Sequence, residues 1–151
     1  MKGMHRLIIA LGTLALAAVG FGQEAAKQYT IGMSQCNLNE PWRVQMDSDV
    51  RKAAAAHPEL KVIFKDASNN TMTQVSQLEE FIAAGVNAII VSPKEAEPLT
   101  PPVAAAFKKG IPIIVLDRRV VGDQYTCFIG ADNKKIGAAA GKYIAKLLGG
   151  K

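Results

Sequence analysis

An aspartate and an arginine stand side by side at Asp117-Arg118, directly after the apolar run Ile113–Leu116. A carboxylate accepts hydrogen bonds from two neighbouring hydroxyls, and a guanidinium fork donates to ring or hydroxyl oxygens, so the pair suits a polyol. A solvated ion pair in a loop is the alternative. Trp42, the one tryptophan of the chain, lies in Leu38-Asn39-Glu40-Pro41-Trp42-Arg43. An indole face stacks on the C–H side of a sugar ring; an aromatic in this place also serves as a hydrophobic staple at a helix start. Asp66 and Ser92 each follow a short β-rich run, although both types are also ordinary turn and cap residues.

Catalytic readings find little support. Of the two histidines, His5 lies in the signal-like segment ahead of its apolar run and His57 at the far end of a helical pattern, so a Ser-His pair has no histidine. No His/Cys/Asp cluster has metal-ligand spacing. The stretch Gly137-Ala138-Ala139-Ala140-Gly141-Lys142-Tyr143 resembles a phosphate loop but is one residue short between the glycines and has no Ser or Thr after the lysine. It reads as small residues for close helix packing. A protein that binds without catalysing, and without a resident cofactor or metal, is expected.

The candidate residues need elements to hold them. From Tyr29 onward, short apolar runs at 29–34, 62–64, 88–91, 113–116 and 126–129 alternate with amphipathic segments. The first helical pattern starts near Asn39 and Pro41, carries Met46, Val50, Ala53 and Ala54 on one face and stops at His57-Pro58. The second carries Val75, Leu78 and Ile82 and ends at Gly85, with Asn69 and Asn70 as capping residues. The third is predicted to open with Thr100 as N-cap and Pro101 at the first helical position, to bury Val103, Ala106 and Phe107, and to end at Gly110. Strands alternating with helices of this length give βαβ units and a parallel sheet. The runs at 88–91 and 113–116 are apolar throughout, which a strand buried on both faces requires. The predicted fold is therefore α/β, a doubly wound parallel sheet in the flavodoxin-like order 2-1-3-4-5, with ligands outside the carboxyl ends of the strands. Residues 35–43, 66–70, 92–95, 117–119 and 131–133 occupy those ends and are far more polar than the strands that feed them.

Hydrophobic residues make up 49% of the 151, enough for a packed core. The first 22 residues differ in kind: Lys2 and Arg6, then an uncharged apolar run at 7–19, then small residues around Gly20-Phe21-Gly22. This is the order of a secretory signal, so the mature chain is expected to be exported, with an uncleaved N-terminal membrane helix as the alternative. The formal charge of +5 falls to +3 once Lys2 and Arg6 are removed. The remaining basic pairs carry no interleaved aromatics, so nucleic acid is not an expected partner. Export permits disulfides, but Cys36 and Cys127 fall at opposite ends of non-adjacent strands in this layout, and free thiols are expected.

Taken in order, these stretches resemble the ribose and galactose type of periplasmic sugar-binding protein, the receptors of bacterial ABC importers. The resemblance runs from about Tyr29 to the end of the chain. It rests on Leu38-Asn39-Glu40-Pro41-Trp42-Arg43, on Asp66, on the helix 73–85 leading into Val86-Asn87-Ala88-Ile89-Ile90-Val91-Ser92-Pro93, on Gly110-Ile111-Pro112-Ile113-Ile114-Val115-Leu116-Asp117-Arg118, and on Ile129-Gly130-Ala131-Asp132-Asn133. The resemblance implies a type I periplasmic binding lobe that captures a monosaccharide, a pentose or hexose, and delivers it to a membrane permease. It assigns Asp117, Arg118 and Ser92 to the sugar, with Glu40 and Trp42 from the first loop; Arg43 and Asp66 complete the candidate set. Glu40 stands where the ribose pattern has Asn, and Arg43 where it has a second aromatic, so the loop looks more like a galactofuranose-type branch. Such receptors clamp the sugar between two lobes by hinge closure. The expected division is 1–22 signal peptide, 23–131 sugar-binding lobe and 132–151 a crossover with the first helix of a missing second lobe. The stripe Ile136, Ala140, Tyr143, Ile144 and Leu147 would then lie open to a second-lobe polypeptide or to self-association, and the chain alone would bind sugar weakly or not at all. A sensor or partner-binding lobe of the same fold is the alternative.

Overall fold

The computed structural model describes residues 27–150, so the signal-like segment 1–22 lies outside the described residues. The elements are β1 (Tyr29–Gln35), α1 (Pro41–Ala55), β2 (Leu60–Asp66), α2 (Thr71–Ala83), β3 (Ala88–Ser92), α3 (Ala96–Lys108), β4 (Ile113–Leu116), β5 (Cys127–Ile129) and α4 (Asn133–Leu147). Every strand pairing is parallel and the spatial order is β2-β1-β3-β4-β5, the predicted one. With β1 between β2 and β3, Gln35 pairs with both Asp66 and Ser92.

Paired positions on neighbouring strands share a face of the sheet. Gly32, Ile89 and Ile113 share one face, which α2 and α3 cover to form the main core with Leu78, Phe81, Leu99, Val103 and Ala106. Gly32 lets the Phe81 ring lie against the strand, since a Cβ there would stand 2.5 Å from the ring. The opposite face carries Met33, Gln35 and Phe64, with α1 over it: Gln35 bonds Met46 and Asp47, and Arg51 stacks on Phe64.

Several local expectations are corrected. β4 is not buried on both faces: Ile113 and Val115 are buried while Ile114 and Leu116 are half-buried, because α1 packs against β2 and α4 buries none of its residues. α3 begins at Ala96 with Glu95 as N-cap, so Pro101 and Pro102 lie inside it. The buried stripe Leu99, Pro102, Val103, Ala106 runs at helical spacing through both prolines, and that burial outweighs the lost backbone bonds. Thr100 caps nothing; its hydroxyl donates to the Ala96 carbonyl and accepts from the Val121 amide. Phe107 lies outside that stripe and is exposed. In α1 the fully buried residues are Arg43 and Asp47, with Met46, Val50 and Ala54 half-buried and Ala53 exposed.

Asn70 caps α2 as expected, accepting from the Thr73 amide at 3.0 Å. Both cysteines are free, Cys36 buried and Cys127 exposed. The stripe Ile136, Tyr143, Ile144 and Leu147 on α4 is exposed. No helix among the described residues is long and apolar enough to cross a membrane.

Candidate ligand-binding site

The carboxyl ends of β1, β3 and β4 stand next to one another and close on a single side chain. Arg43, in the first turn of α1, is 1% exposed. Its Nη1 donates to Gln35 Oε1 at 3.0 Å and to Ser92 Oγ at 2.8 Å. Its Nε donates to Glu40 Oε2 at 2.6 Å and its Nη2 to Asp117 Oδ2 at 3.4 Å. The guanidinium also lies over the Trp42 ring, 4.0 Å from its centroid. A buried charge is tolerated only when paired and hydrogen-bonded, and the planar fork of arginine meets that condition in several directions at once where the point charge of lysine would not. Arg43 therefore gathers Glu40, Trp42, Ser92 and Asp117 into one network.

Asp117 is held in an unusual backbone state. Its φ is +64°, and the Arg118 amide donates to the Leu116 carbonyl at 2.8 Å, closing a tight turn about it. Non-glycine residues in this region cost about 1–3 kcal/mol and concentrate at ligand sites; aspartate is among the types that tolerate it best. The turn is backed by Gly130, where a Cβ would stand 2.9 Å from the Asp117 carbonyl oxygen. Arg118 donates to the Lys94 carbonyl at 2.7 Å and lies 4.0 Å from Asp117 Oδ2. Two carboxylates, Glu40 and Asp117, thus face two guanidiniums, Arg43 and Arg118. The hydrogen bond from Arg43 holds the Glu40 carboxyl below its ordinary pKa. Burial pushes the Cys36 thiol up and likewise raises Asp47, whose carboxylate accepts from Gln35 Nε2 at 3.2 Å.

Asp66 is not joined to this network. Its carboxylate accepts from the Ser68 amide at 2.8 Å and from the Ser68 hydroxyl, shaping the loop after β2. A hollow of about 670 Å³ opens beside Asp117 and Arg118, lined also by Phe128, Gly130, Asp132 and Asn133. Trp42 is not among its lining residues; its ring meets the Arg43 guanidinium. Among the described residues no cluster of three or more His, Cys, Asp or Glu could hold a metal ion. Gln35 falls in the strand-end stretch 35–43 without being singled out, and Asp47 lies outside every candidate stretch; both join the buried network. The signal available was their helical and strand phase: Asp47 lies one turn after Arg43, and Gln35 ends the first strand.

A parallel sheet in this order, with ligand-type residues gathered at its carboxyl edge, defines one lobe of a type I periplasmic binding protein. Residues 31–151 match the periplasmic binding protein domain, and the chain belongs to that family. It is 32% identical over 123 residues to a ribose import binding protein of Bacillus subtilis, covering 82% of this chain and 40% of that protein. Among solved structures it is similar to the fructose binding periplasmic domain of a hybrid two component system, at 38% identity and TM-score 0.78, over 82% of this chain and 41% of that one. It is also similar to an ABC transporter solute binding protein from Bacillus halodurans with bound myo-inositol, at 35% identity and TM-score 0.77, over 83% of this chain and 44% of that one. The chain spans less than half the length of the relatives it matches.

Proposed function

We propose that this chain is the sugar-receiving lobe of an exported, non-catalytic solute-binding protein that takes up a neutral monosaccharide and serves a membrane permease of an ABC importer from the periplasm. The observation that carries the reading is Arg43, buried at the strand tips and bonded at once to Glu40, Ser92 and Asp117. Carboxylates and guanidiniums set side by side at this edge offer both acceptors and donors to a ligand rich in hydroxyls. Asp117 and Arg118, at the mouth of the hollow, receive the sugar hydroxyls. Glu40 and the free face of Trp42 offer a second acceptor and a stacking plane, while Arg43 and Ser92 hold them in place. Asp66 shapes the neighbouring loop. The names of the relatives agree in chemistry, since ribose, fructose and myo-inositol are all neutral polyols.

Saturation-transfer NMR of the chain against neutral pentoses and hexoses and their acid and phosphate counterparts tests this. Signal from at least one neutral sugar, lost on Asp117→Ala, is the expected result. Preference for the charged counterparts, or binding untouched by D117A, contradicts the reading.

A second reading has one observation in its favour: the fructose-binding match is part of a two component system. A sensor lobe would use the same site with a different output. Capture of a permease by the purified chain separates the two, because only an importer receptor requires it.

A further inference from the structure

α2 runs antiparallel to the strands, so its first two turns lie against their carboxyl ends. The side chains it turns inward there are the amides Gln74 and Gln77, followed one turn later by Leu78 and Phe81. Gln74 is fully buried. Its Nε2 donates to the Ser92 carbonyl at 3.0 Å, and its Oε1 accepts from the Lys94 amide at 2.8 Å. One primary amide thus spans the turn Ser92-Pro93-Lys94 and satisfies a backbone group at each end of it, which a buried turn requires. The clipped turn carries two outgoing bonds. The Ser92 hydroxyl accepts from Arg43 at 2.8 Å, and the Lys94 carbonyl accepts from Arg118 at 2.7 Å. Both guanidiniums of the site are therefore located by a segment whose own position Gln74 sets.

We propose that Gln74 is a positioning residue of the ligand site, its buried amide clipping the Ser92–Lys94 turn so that Arg43 and Arg118 are held where they meet Glu40 and Asp117. The inference rests on the proposed sugar-binding reading in naming the ligand, but the clip itself does not. Gln77 supplies an internal comparison. It is a buried amide on the same helix that accepts from the Ser34 hydroxyl at 2.8 Å and donates to the Asp66 carbonyl at 2.9 Å. Its bonds reach neither arginine. If Gln74 merely satisfied buried polar groups, the two substitutions would behave alike.

The experiment compares Gln74→Met and Gln77→Met in the full chain by thermal unfolding, by the arginine side-chain N–H resonances, and by selectively excited indole emission, for which Trp42 is the one source. Both variants are expected to lose melting temperature. Q74M alone should shift the Arg43 and Arg118 resonances and the Trp42 emission. It should also weaken binding of whichever neutral monosaccharide the native chain takes by about tenfold, the worth of one sugar hydrogen bond to a guanidinium that has moved out of place. Arginine resonances unchanged in Q74M, or moved equally by Q77M, overturn the proposal. Should Q74M not fold, Gln74→Glu keeps the acceptor for the Lys94 amide and loses the donor to the Ser92 carbonyl, and it is judged by the same resonances. A native chain that binds no sugar refutes the functional reading while leaving the resonance comparison to decide the clip.

Discussion

Arg43 is the residue whose replacement should say most. On Arg43→Met the buried Ser92 Oγ would lose its donor and Gln35 Oε1 would keep only the Cys36 amide at 3.2 Å, whereas Glu40 and Asp117 are partly exposed and turn to water. The expected cost is about 1–3 kcal/mol, read by urea unfolding, with sugar binding lost. Arg43→Lys should restore much of the stability but little of the binding, because a point charge cannot fork; full recovery of binding by R43K would count against the network. Asp47 and Glu40 carry opposite signs of pH dependence. Burial raises Asp47, so the folded chain holds this proton more tightly than the unfolded chain. Its contribution to stability falls as pH rises from the ordinary carboxylate range to the raised value, and above both the ionised group is a net cost. Asp47→Asn keeps an acceptor for Gln35 and removes the charge. Its melting temperature at neutral pH should rise above that of the native chain, a gain that shrinks as pH falls into the ordinary carboxylate range. Glu40 is lowered by Arg43. Its contribution is present above the ordinary carboxylate pKa and is lost as pH falls through that value toward the depressed one.

At the scale of elements, strand order and strand tips were legible because period and composition carry them: apolar runs, helical stripes between them, and polar residues clustered where the runs end. The start of α3 was not, because prolines read locally as a boundary while the stripe from Leu99 to Ala106 acts over the whole helix. The burial of Arg43, Gln74 and Asp47 was not legible for a related reason. Charged and amide side chains default to solvent, and only the tertiary placement of α1 and α2 at the strand tips supplies their partners. Asp117 was legible as a site residue from its place after β4, but its left-handed backbone was not, since no glycine marks the position. The fit of α2 on the sheet is close enough to test. Gly32→Ala would place a Cβ against the Phe81 ring, itself fixed in the core. A loss of about 1–3 kcal/mol is expected, read by chemical denaturation, with the arginine network undisturbed.

For the molecule as a whole, the lobe arranges its hydrophobic surface unevenly. α2 and α3 seal one face of the sheet, while Ile114, Leu116 and Ile129 on the other face and the stripe of α4 remain open. The polar edge is where separate strands deliver their side chains, which Arg43 joins by hydrogen bonds to Gln35, Glu40, Ser92 and Asp117. A site already organised in this way should bind with little rearrangement of its own. The central claim, that polar residues from β1, β3, β4 and the start of α1 form one ligand-binding edge, is tested most directly by NMR shift mapping with a neutral monosaccharide. Shifts are expected only at the Trp42 indole, the Arg43 and Arg118 side chains and the amides of Ser92, Lys94 and 117–119. Shifts that spare these groups and fall elsewhere on the lobe would contradict it.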